Sequence, residues 1–111
     1  MNIKLNKVKI VILCGGLGSR LGADTSSIPK PMVKIDKDPI ITHILRIYKK
    51  FGFNNFILAT GYKNKIIQNY FKKNKEFNVK TIFTGLNTLT GTRIKKLKKY
   101  LIDNDNFMVT Y

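Results

Sequence analysis

A glycine-rich segment and two basic residues carry the chemistry that this sequence suggests. Gly15, Gly16 and Gly18 directly follow an apolar run, and Arg20 comes two residues later. Glycines at such a point let backbone N–H groups turn toward a ligand and let its phosphates come close. Lys30 then lies between two prolines, which restrict the backbone around it. The pattern favours a phosphate-binding loop over the alternative, a tight strand-to-helix turn without a ligand.

The spacing of the loop fits neither of the two common phosphate-binding patterns. A Walker loop needs Gly-Lys followed by Ser or Thr, and the G-x-G-x-x-G pattern started at Gly16 would place its third glycine on Leu21. A nucleoside triphosphate suits the basic side chains, because Arg20 can form paired hydrogen bonds to phosphate oxygens and Lys30 supplies a compact charge. For Lys30 the alternative is a surface lysine in a lysine-rich chain.

Composition and charge narrow the class of protein. The chain has 111 residues, so it is one domain or part of one, and its hydrophobic content of 43% fits a globular protein. Its apolar stretches are too short for a membrane helix. The net charge of +15 raises nucleic acid as a partner, but the lysines are spread along the chain. We therefore favour biased codon usage, or a missing acidic half, over a nucleic-acid-binding surface as the explanation of this positive charge.

The N-terminus and the single cysteine indicate a cytoplasmic protein. The apolar core at residues 10–13 is too short for the hydrophobic region of a signal peptide, which needs about 7–15 residues. Cys14 is the only cysteine, so the chain can form neither an internal disulfide nor a cysteine cluster for zinc.

Strand-like and helix-like patterns alternate along the chain. This alternation predicts a Rossmann-like α/β fold, with a parallel sheet and helices on both of its faces. In such sheets ligands bind at the carboxyl ends of the strands, where residues 14–30, 61–64 and 85–93 fall. The predicted strands are 8–13, 55–60, 79–84 and 107–111, and the predicted helices are 40–51, 64–71 and 90–101.

Side-chain periodicity assigns faces to the helices. Asp38 is predicted to cap the first helix, with Pro39 in its first turn. Phe51 falls on the apolar face of that helix, whereas Thr42 falls with the charged residues on the solvent face. Asn64 is predicted to cap the second helix. Four lysines near the end of the third helix are expected to face solvent.

Several segments together resemble the sugar-phosphate nucleotidyltransferases, which join a nucleoside triphosphate to a sugar 1-phosphate and release pyrophosphate. The likeness rests on "GGLGSRL" and "PKPMV", and "TGLNTLTGTRIKKLKKYL" followed by "NFMVTY" makes it strongest to the glucose-1-phosphate cytidylyltransferase branch. It spans nearly all of residues 8–111. The resemblance implies an enzyme with CTP or another nucleoside triphosphate and a sugar 1-phosphate as partners, and with Mg²⁺ as cofactor of the full-length protein.

The resemblance also implies roles for particular residues. Arg20 and Lys30 would hold phosphates as the catalytic residues, and Thr88 and Arg93 would lie near the cytosine. On spacing alone, Thr88 fits a turn or helix cap equally well, and Arg93 an exposed first-turn position. The nucleotide would be wrapped by one continuous segment, consisting of Leu13, Cys14, Gly15, Gly16, Leu17, Gly18, Ser19 and Arg20.

Some family features differ or are missing here. Cys14, Ser19 and Thr92 replace the usual alanine, threonine and glycine, and a long insertion between the second helix and the third strand is absent. The carboxylates of the chain fit turns and caps better than a metal site, as Asp103 and Asp105 do before the last strand. In the family "TY" runs straight into Gly-Asp-Gly, whose aspartate holds the metal, so the expected ligand lies just beyond Tyr111.

Residues 1–111 are therefore expected to form the N-terminal nucleotide-binding part of a nucleotidyltransferase domain, incomplete at its C-terminus and inactive alone. Three alternatives stay open: uridylyl, thymidylyl or guanylyl transfer, a basic nucleic-acid-binding domain, and a nucleotide-binding protein without catalysis. His43, the only histidine, is given a surface role. The sequence leaves a homo-oligomer open.

Overall fold

Four parallel strands form the central sheet of the protein. The computed structural model describes residues 5–14, 28–85, 90–101 and 107–110. In chain order the strands are β1 (Lys9–Cys14), β2 (Lys34–Ile35), β3 (Asp38–Pro39), β4 (Asn55–Thr60), β5 (Val79–Phe83) and β6 (Phe107–Thr110). The helices are α1 (Ile40–Lys50), α2 (Asn64–Lys73), α3 (Thr90–Lys96) and α4 (Lys98–Leu101). The sheet has the order β5-β4-β1-β6, whereas β2 and β3 form a separate antiparallel pair.

The β1 strand lies inside the sheet, between β4 and β6. Its sequence KIVILC is rich in β-branched and apolar residues, which suit a strand buried on both sides. Ile10, Val11 and Ile12 are at most 1% exposed. The parallel α/β fold predicted from the alternating pattern is therefore confirmed, with β1 one residue later than expected.

The two faces of the sheet carry separate cores, because successive side chains of a strand point to opposite faces. On the α1/α2 face, Ile10 and Ile12 pack in one cluster with buried residues of α1 and α2, such as Leu45 and Ile67. On the α3/α4 face, Val11 belongs to a smaller cluster whose other buried members are Ile57, Ala59, Leu97 and Leu101. Helices therefore cover both faces, as predicted.

The α1 helix differs from the prediction at three side chains. Pro39 is the N-cap residue, and the carboxylate of Asp38 pairs with Arg46 at 2.8 Å instead of capping the helix. Thr42 is buried, and its hydroxyl is 2.9 Å from that of Tyr70 on α2. Phe51 is 67% exposed, because the helix ends before it.

The other two predicted helices also have different ends. Lys63, with a left-handed φ of 51°, occupies the N-cap position of α2, so Asn64 is the first helical residue and not the cap. The third predicted helix divides into α3 and α4 around the fully buried Leu97. Leu97 donates to the carbonyl of Ile94 three residues earlier, and Tyr100 donates to Leu97 in the same way, so the chain tightens into a 3₁₀-like turn there.

The solvent-facing lysines of α3 and α4 are exposed as predicted. Within the described ranges, no helix has the length and apolar character needed to cross a membrane.

Candidate functional site

The carboxyl ends of β1, β4 and β5 lie level with one another. Cys14 pairs with Thr60 in register, and Thr60 pairs with Phe83. The segments that follow these three strands therefore start from the same edge of the sheet, which we call the carboxyl edge. This is where a ligand binds in sheets of this type.

Most of the predicted glycine loop lies outside the described residues. The same holds for Thr88. Of the predicted nucleotide-wrapping segment, the structure describes Leu13 and Cys14; outside it fall Gly15, Gly16, Leu17, Gly18, Ser19 and Arg20. The proposed roles of these residues stay predictions.

The side chains of Leu13 and Cys14 are directed into the protein. Leu13 packs against the α3/α4-face core, and Cys14 is 3% exposed in the α1/α2-face core. The Cys14 Sγ lies 3.6 Å from the carbonyl oxygen of Ile12, and burial raises the pKa of its thiol to about 12. A nucleotide at the carboxyl edge would therefore meet the backbone of these two residues, not their side chains.

Lys30 stands at the surface on a firmly held backbone. It begins a 3₁₀ turn, Lys30–Met32, in which Met32 donates to the carbonyl of Pro29 at 2.9 Å and Val33 donates to that of Lys30 at 3.1 Å. Pro29 and Met32 are both buried, whereas the lysine side chain is exposed. The flanking residues anchor the turn and leave the ammonium group to solvent or to a ligand.

A polar network, buried at Thr60, Thr84 and Arg93, joins the ends of β4 and β5 to α3. The Thr84 hydroxyl donates to the Thr60 carbonyl at 3.0 Å and accepts a hydrogen bond from the Arg93 Nη1 at 2.7 Å. The same Nη1 donates to the Gly85 carbonyl at 2.9 Å, and the Lys96 ammonium donates to the Thr84 carbonyl at 3.1 Å. The network fixes the start of the segment that leads from β5 into α3.

Arg93 is thus buried, with 6% of its surface exposed. The alternative from the sequence, in which Arg93 is an exposed residue of the first helical turn, is wrong. The Arg93 Nη1 is already engaged in hydrogen bonds to Thr84 and Gly85. A contact between Arg93 and a base stays a prediction. A signal in the sequence could have shown the burial. Arg93, Leu97 and Leu101 are spaced four residues apart, so helical periodicity places the arginine on the same face as the two buried leucines.

In the described part, the carboxylates of Asp38 and Glu76 pair with Arg46, and the histidine also has a structural partner. The His43 Nε2 lies 2.9 Å from the carbonyl oxygen of Ile35 and links α1 to the β2–β3 pair. Asp36 occupies the turn between those strands with a φ of 61°. Among the described residues, no group of three or more His, Cys, Asp or Glu side chains could hold a metal ion.

Comparison with known proteins identifies the family. The family model described as nucleotidyl transferase matches residues 9–109. The glucose-1-phosphate cytidylyltransferase of Salmonella typhimurium is 35% identical over an alignment that covers 94% of this chain and 49% of that protein. The D-glycero-alpha-D-manno-heptose 1-phosphate guanylyltransferase of Campylobacter jejuni is 45% identical over 65 residues, covering 59% of this chain and 29% of that protein.

A solved structure shares the fold. The chain superposes on UDP-glucose pyrophosphorylase complexed with UDP-glucose with a TM-score of 0.74 at 22% identity, covering 92% of this chain and 44% of the other. The chain spans about half the length of the curated relatives it matches. Because the family model covers nearly every residue and the relatives agree with it, the resemblance seen in the motifs is confirmed: the chain belongs to the nucleotidyl transferase family of enzymes.

Proposed function

We propose that the protein transfers a nucleotidyl group from CTP to a sugar 1-phosphate, with glucose 1-phosphate as the favoured acceptor. The products would be a nucleoside-diphosphate sugar and pyrophosphate. The observation that carries this proposal is the 35% identity to a glucose-1-phosphate cytidylyltransferase over 94% of the chain. Residues 1–111 would supply the N-terminal nucleotide-binding part of the catalytic domain. We place the reaction in the cytoplasm, where nucleoside triphosphates are made.

The chemistry requires placement and charge more than covalent help from the protein. A sugar phosphate oxygen attacks the α-phosphorus, and the bond from that phosphorus to the β-phosphate breaks as pyrophosphate leaves. Backbone N–H groups of the glycine loop would bind the triphosphate, and Arg20 and Lys30 would stabilise the charge that moves onto the leaving group. The exposed ammonium of Lys30 on its anchored turn is compatible with this role.

The base would lie near the segment between β5 and α3. Thr88 would read the cytosine edge by hydrogen bonding. Arg93, through its bonds to Thr84 and Gly85, would hold the backbone that precedes this segment. The aligned ends of β1, β4 and β5 support this arrangement, because the segments proposed to hold the triphosphate and the base both begin at that edge of the sheet.

Magnesium is part of the proposal as a companion of the substrate phosphates. Mg²⁺ binds through one or two carboxylates together with phosphate oxygens. The described residues contain no group of three or more His, Cys, Asp or Glu side chains that could hold a metal ion, and no ligand is assigned among them.

Nucleotide binding to the 111-residue chain tests the assignment of the base. Isothermal titration with CTP, GTP, UTP and dTTP is expected to show the tightest binding for CTP. Lys30→Gln should weaken CTP binding about tenfold, because a charge-assisted contact to phosphate is lost. Lys37→Gln is the matched control: this exposed lysine lies in the β2–β3 turn and should bind CTP as the unchanged chain does. Equal effects of the two substitutions would contradict the phosphate role of Lys30.

Catalysis is tested in a chain extended to the full length of the curated relatives. Pyrophosphate release with CTP and glucose 1-phosphate is the expected result. Tight CTP binding without any pyrophosphate release from a panel of sugar 1-phosphates would indicate a nucleotide-binding protein without catalysis.

A specific observation favours one alternative, guanylyl transfer. The guanylyltransferase of Campylobacter jejuni has the higher identity, 45%, though over only 59% of this chain. GTP transfer to a heptose 1-phosphate is therefore the second candidate. Tighter binding of GTP than of CTP would favour it.

A further inference from the structure

A cavity of about 360 Å³ lies at the amino-terminal edge of the sheet, away from the proposed nucleotide site. Lys9 at the start of β1, Asn55 at the start of β4 and Lys80 near the start of β5 form part of its wall, and Lys99 and Tyr100 of α4 form another part. A strand rises about 3.3 Å per residue, so the six-residue strands separate this cavity from the carboxyl edge by roughly 15–20 Å.

Three ammonium groups converge on one residue of this cavity. The Nζ atoms of Lys80 and Lys99 each lie 5.1 Å from the centroid of the Tyr100 ring, and the Lys9 ammonium donates to the Tyr100 main-chain carbonyl. Of the described residues that line the cavity, none carries a carboxylate. Like charges gathered in a concave surface repel one another, and a bound anion would relieve that repulsion.

We propose that this cavity binds a small, multiply charged phosphate compound. Lysine ammonium groups are compact donors that suit phosphate oxygens, and the volume lies in the range of small-molecule sites. Asn55 and Asn78 also line the cavity, and the Asn78 amide donates to Asn55 Oδ1 at 2.6 Å, which holds this part of the lining in place. The site does not take part in the nucleotidyl transfer proposed above, so the two proposals can be tested independently.

Two other occupants must be distinguished from a free phosphate ligand. Asp103 and Asp105 follow α4 in the sequence and lie outside the described residues, so their carboxylates are candidates for neutralising the lysines from within the chain. A nucleic acid would instead engage the lysines of α3 and α4 more broadly. Lys98 adjoins Lys99 and is exposed but does not line the cavity, so it serves as the matched control.

The test uses inorganic pyrophosphate as the probe and backbone amide NMR of the full 111-residue chain as the readout. We expect saturable shifts at Lys9, Lys80 and Tyr100. Lys80→Gln and Lys99→Gln should each weaken this binding about five- to tenfold, whereas Lys98→Gln should change it less than about twofold. Pyrophosphate that binds the glycine loop would be recognised by separate shifts sensitive to Lys30→Gln.

Four results would overturn the proposal. The first is the absence of shifts at the cavity in the folded chain, and the second is equal weakening by Lys98→Gln and Lys99→Gln. The third is binding that emerges only in an Asp103→Asn/Asp105→Asn chain, which would show that the lysines are neutralised internally. The fourth is a short RNA that binds more tightly than pyrophosphate and shifts Lys95 and Lys98 as strongly as the cavity residues, which would indicate a nucleic-acid surface.

Discussion

The two faces of the sheet are held by different kinds of contact. Under α1 and α2 the core is broad and mainly apolar, and it includes edge-to-face ring pairs such as Phe56 with Phe77. Under α3 and α4 the apolar core is smaller, and a buried arginine ties the helix to the ends of β4 and β5. Burial of apolar surface is thus the main contact that holds α1 and α2 on the first face. On the second face, hydrogen bonds to the strand ends hold the helices together with apolar contacts. The second face is also the one next to the proposed base segment.

The largest expected effect is loss of packing on the α1/α2 face. Leu45 is fully buried in its broad core, so Leu45→Ala should lower the free energy of unfolding by about 3–4 kcal/mol. Leu97 is equally buried, but the smaller core around it can relax, so Leu97→Ala should cost about 2 kcal/mol. Urea unfolding measures both. Equal losses would show that the two cores are equally rigid and would remove the contrast between the faces.

The next effect concerns the polar network of the α3/α4 face. Arg93→Ala leaves the Thr84 hydroxyl and the Gly85 carbonyl without their guanidinium partner, and it should lower the free energy of unfolding by about 2–3 kcal/mol. Arg93→Lys keeps the charge but not the planar group, so it should restore only part of the loss. A loss below about 1 kcal/mol in Arg93→Ala, measured by urea unfolding, would mean that the network is not a structural element.

A smaller effect tests a partly buried polar pair between α1 and α2. Thr42→Val keeps the shape of the side chain but leaves the Tyr70 hydroxyl unpaired, so it should cost about 1 kcal/mol. The double variant Thr42→Val/Tyr70→Phe should recover most of that loss, because both polar groups are then absent. Additive losses in the double-mutant cycle would show that the two hydroxyls do not interact.

The smallest effect belongs to the exposed ion pairs of Arg46. Its hydrogen bonds hold the pKa values of Asp38 and Glu76 below their ordinary values of 3.8 and 4.5. Because the folded pKa values are the lower ones, the pairs stabilise the protein above those ordinary values and lose this contribution as the pH falls through the folded ones. The contribution is small, since 44% of the Arg46 side chain is exposed.

Unfolding measured between about pH 2 and pH 6 checks this sign. Arg46→Gln should flatten the acid slope of stability, whereas Lys50→Gln, an exposed change on the same helix, should leave the slope unchanged. An unaltered slope in Arg46→Gln would contradict a linkage through this arginine.

The repeating apolar patterns predicted most of the fold. The strands near residues 8–13, 55–60, 79–84 and 107–111 and the helices between them were found within a residue or two of their expected places. Such patterns predict the elements because the order of apolar and polar residues shows whether one side of a helix, or both faces of a strand, is buried. The errors fell on polar residues and helix ends: Thr42 and Arg93 are buried, and neither Asp38 nor Asn64 caps a helix.

These errors have one physical cause. A threonine or arginine can be buried only if a partner satisfies its hydrogen bonds, and that partner lies on another part of the fold, which a local pattern does not reveal. Tyr70 is 28 residues from Thr42, and Thr84 lies across the β5–α3 connection from Arg93. Asp38 likewise bonds Arg46 in preference to the backbone of α1.

By itself the sequence determined the alternation of strands and helices, the phosphate-loop motif and the family, because these follow from local periodicity and from contiguous motifs. Only the tertiary structure decided which partners satisfy the buried polar side chains, how the three strand ends align at the carboxyl edge, and that Lys9, Lys80 and Lys99 meet around Tyr100. Those features depend on strand order and on helix placement. Both bring together residues that no local pattern connects.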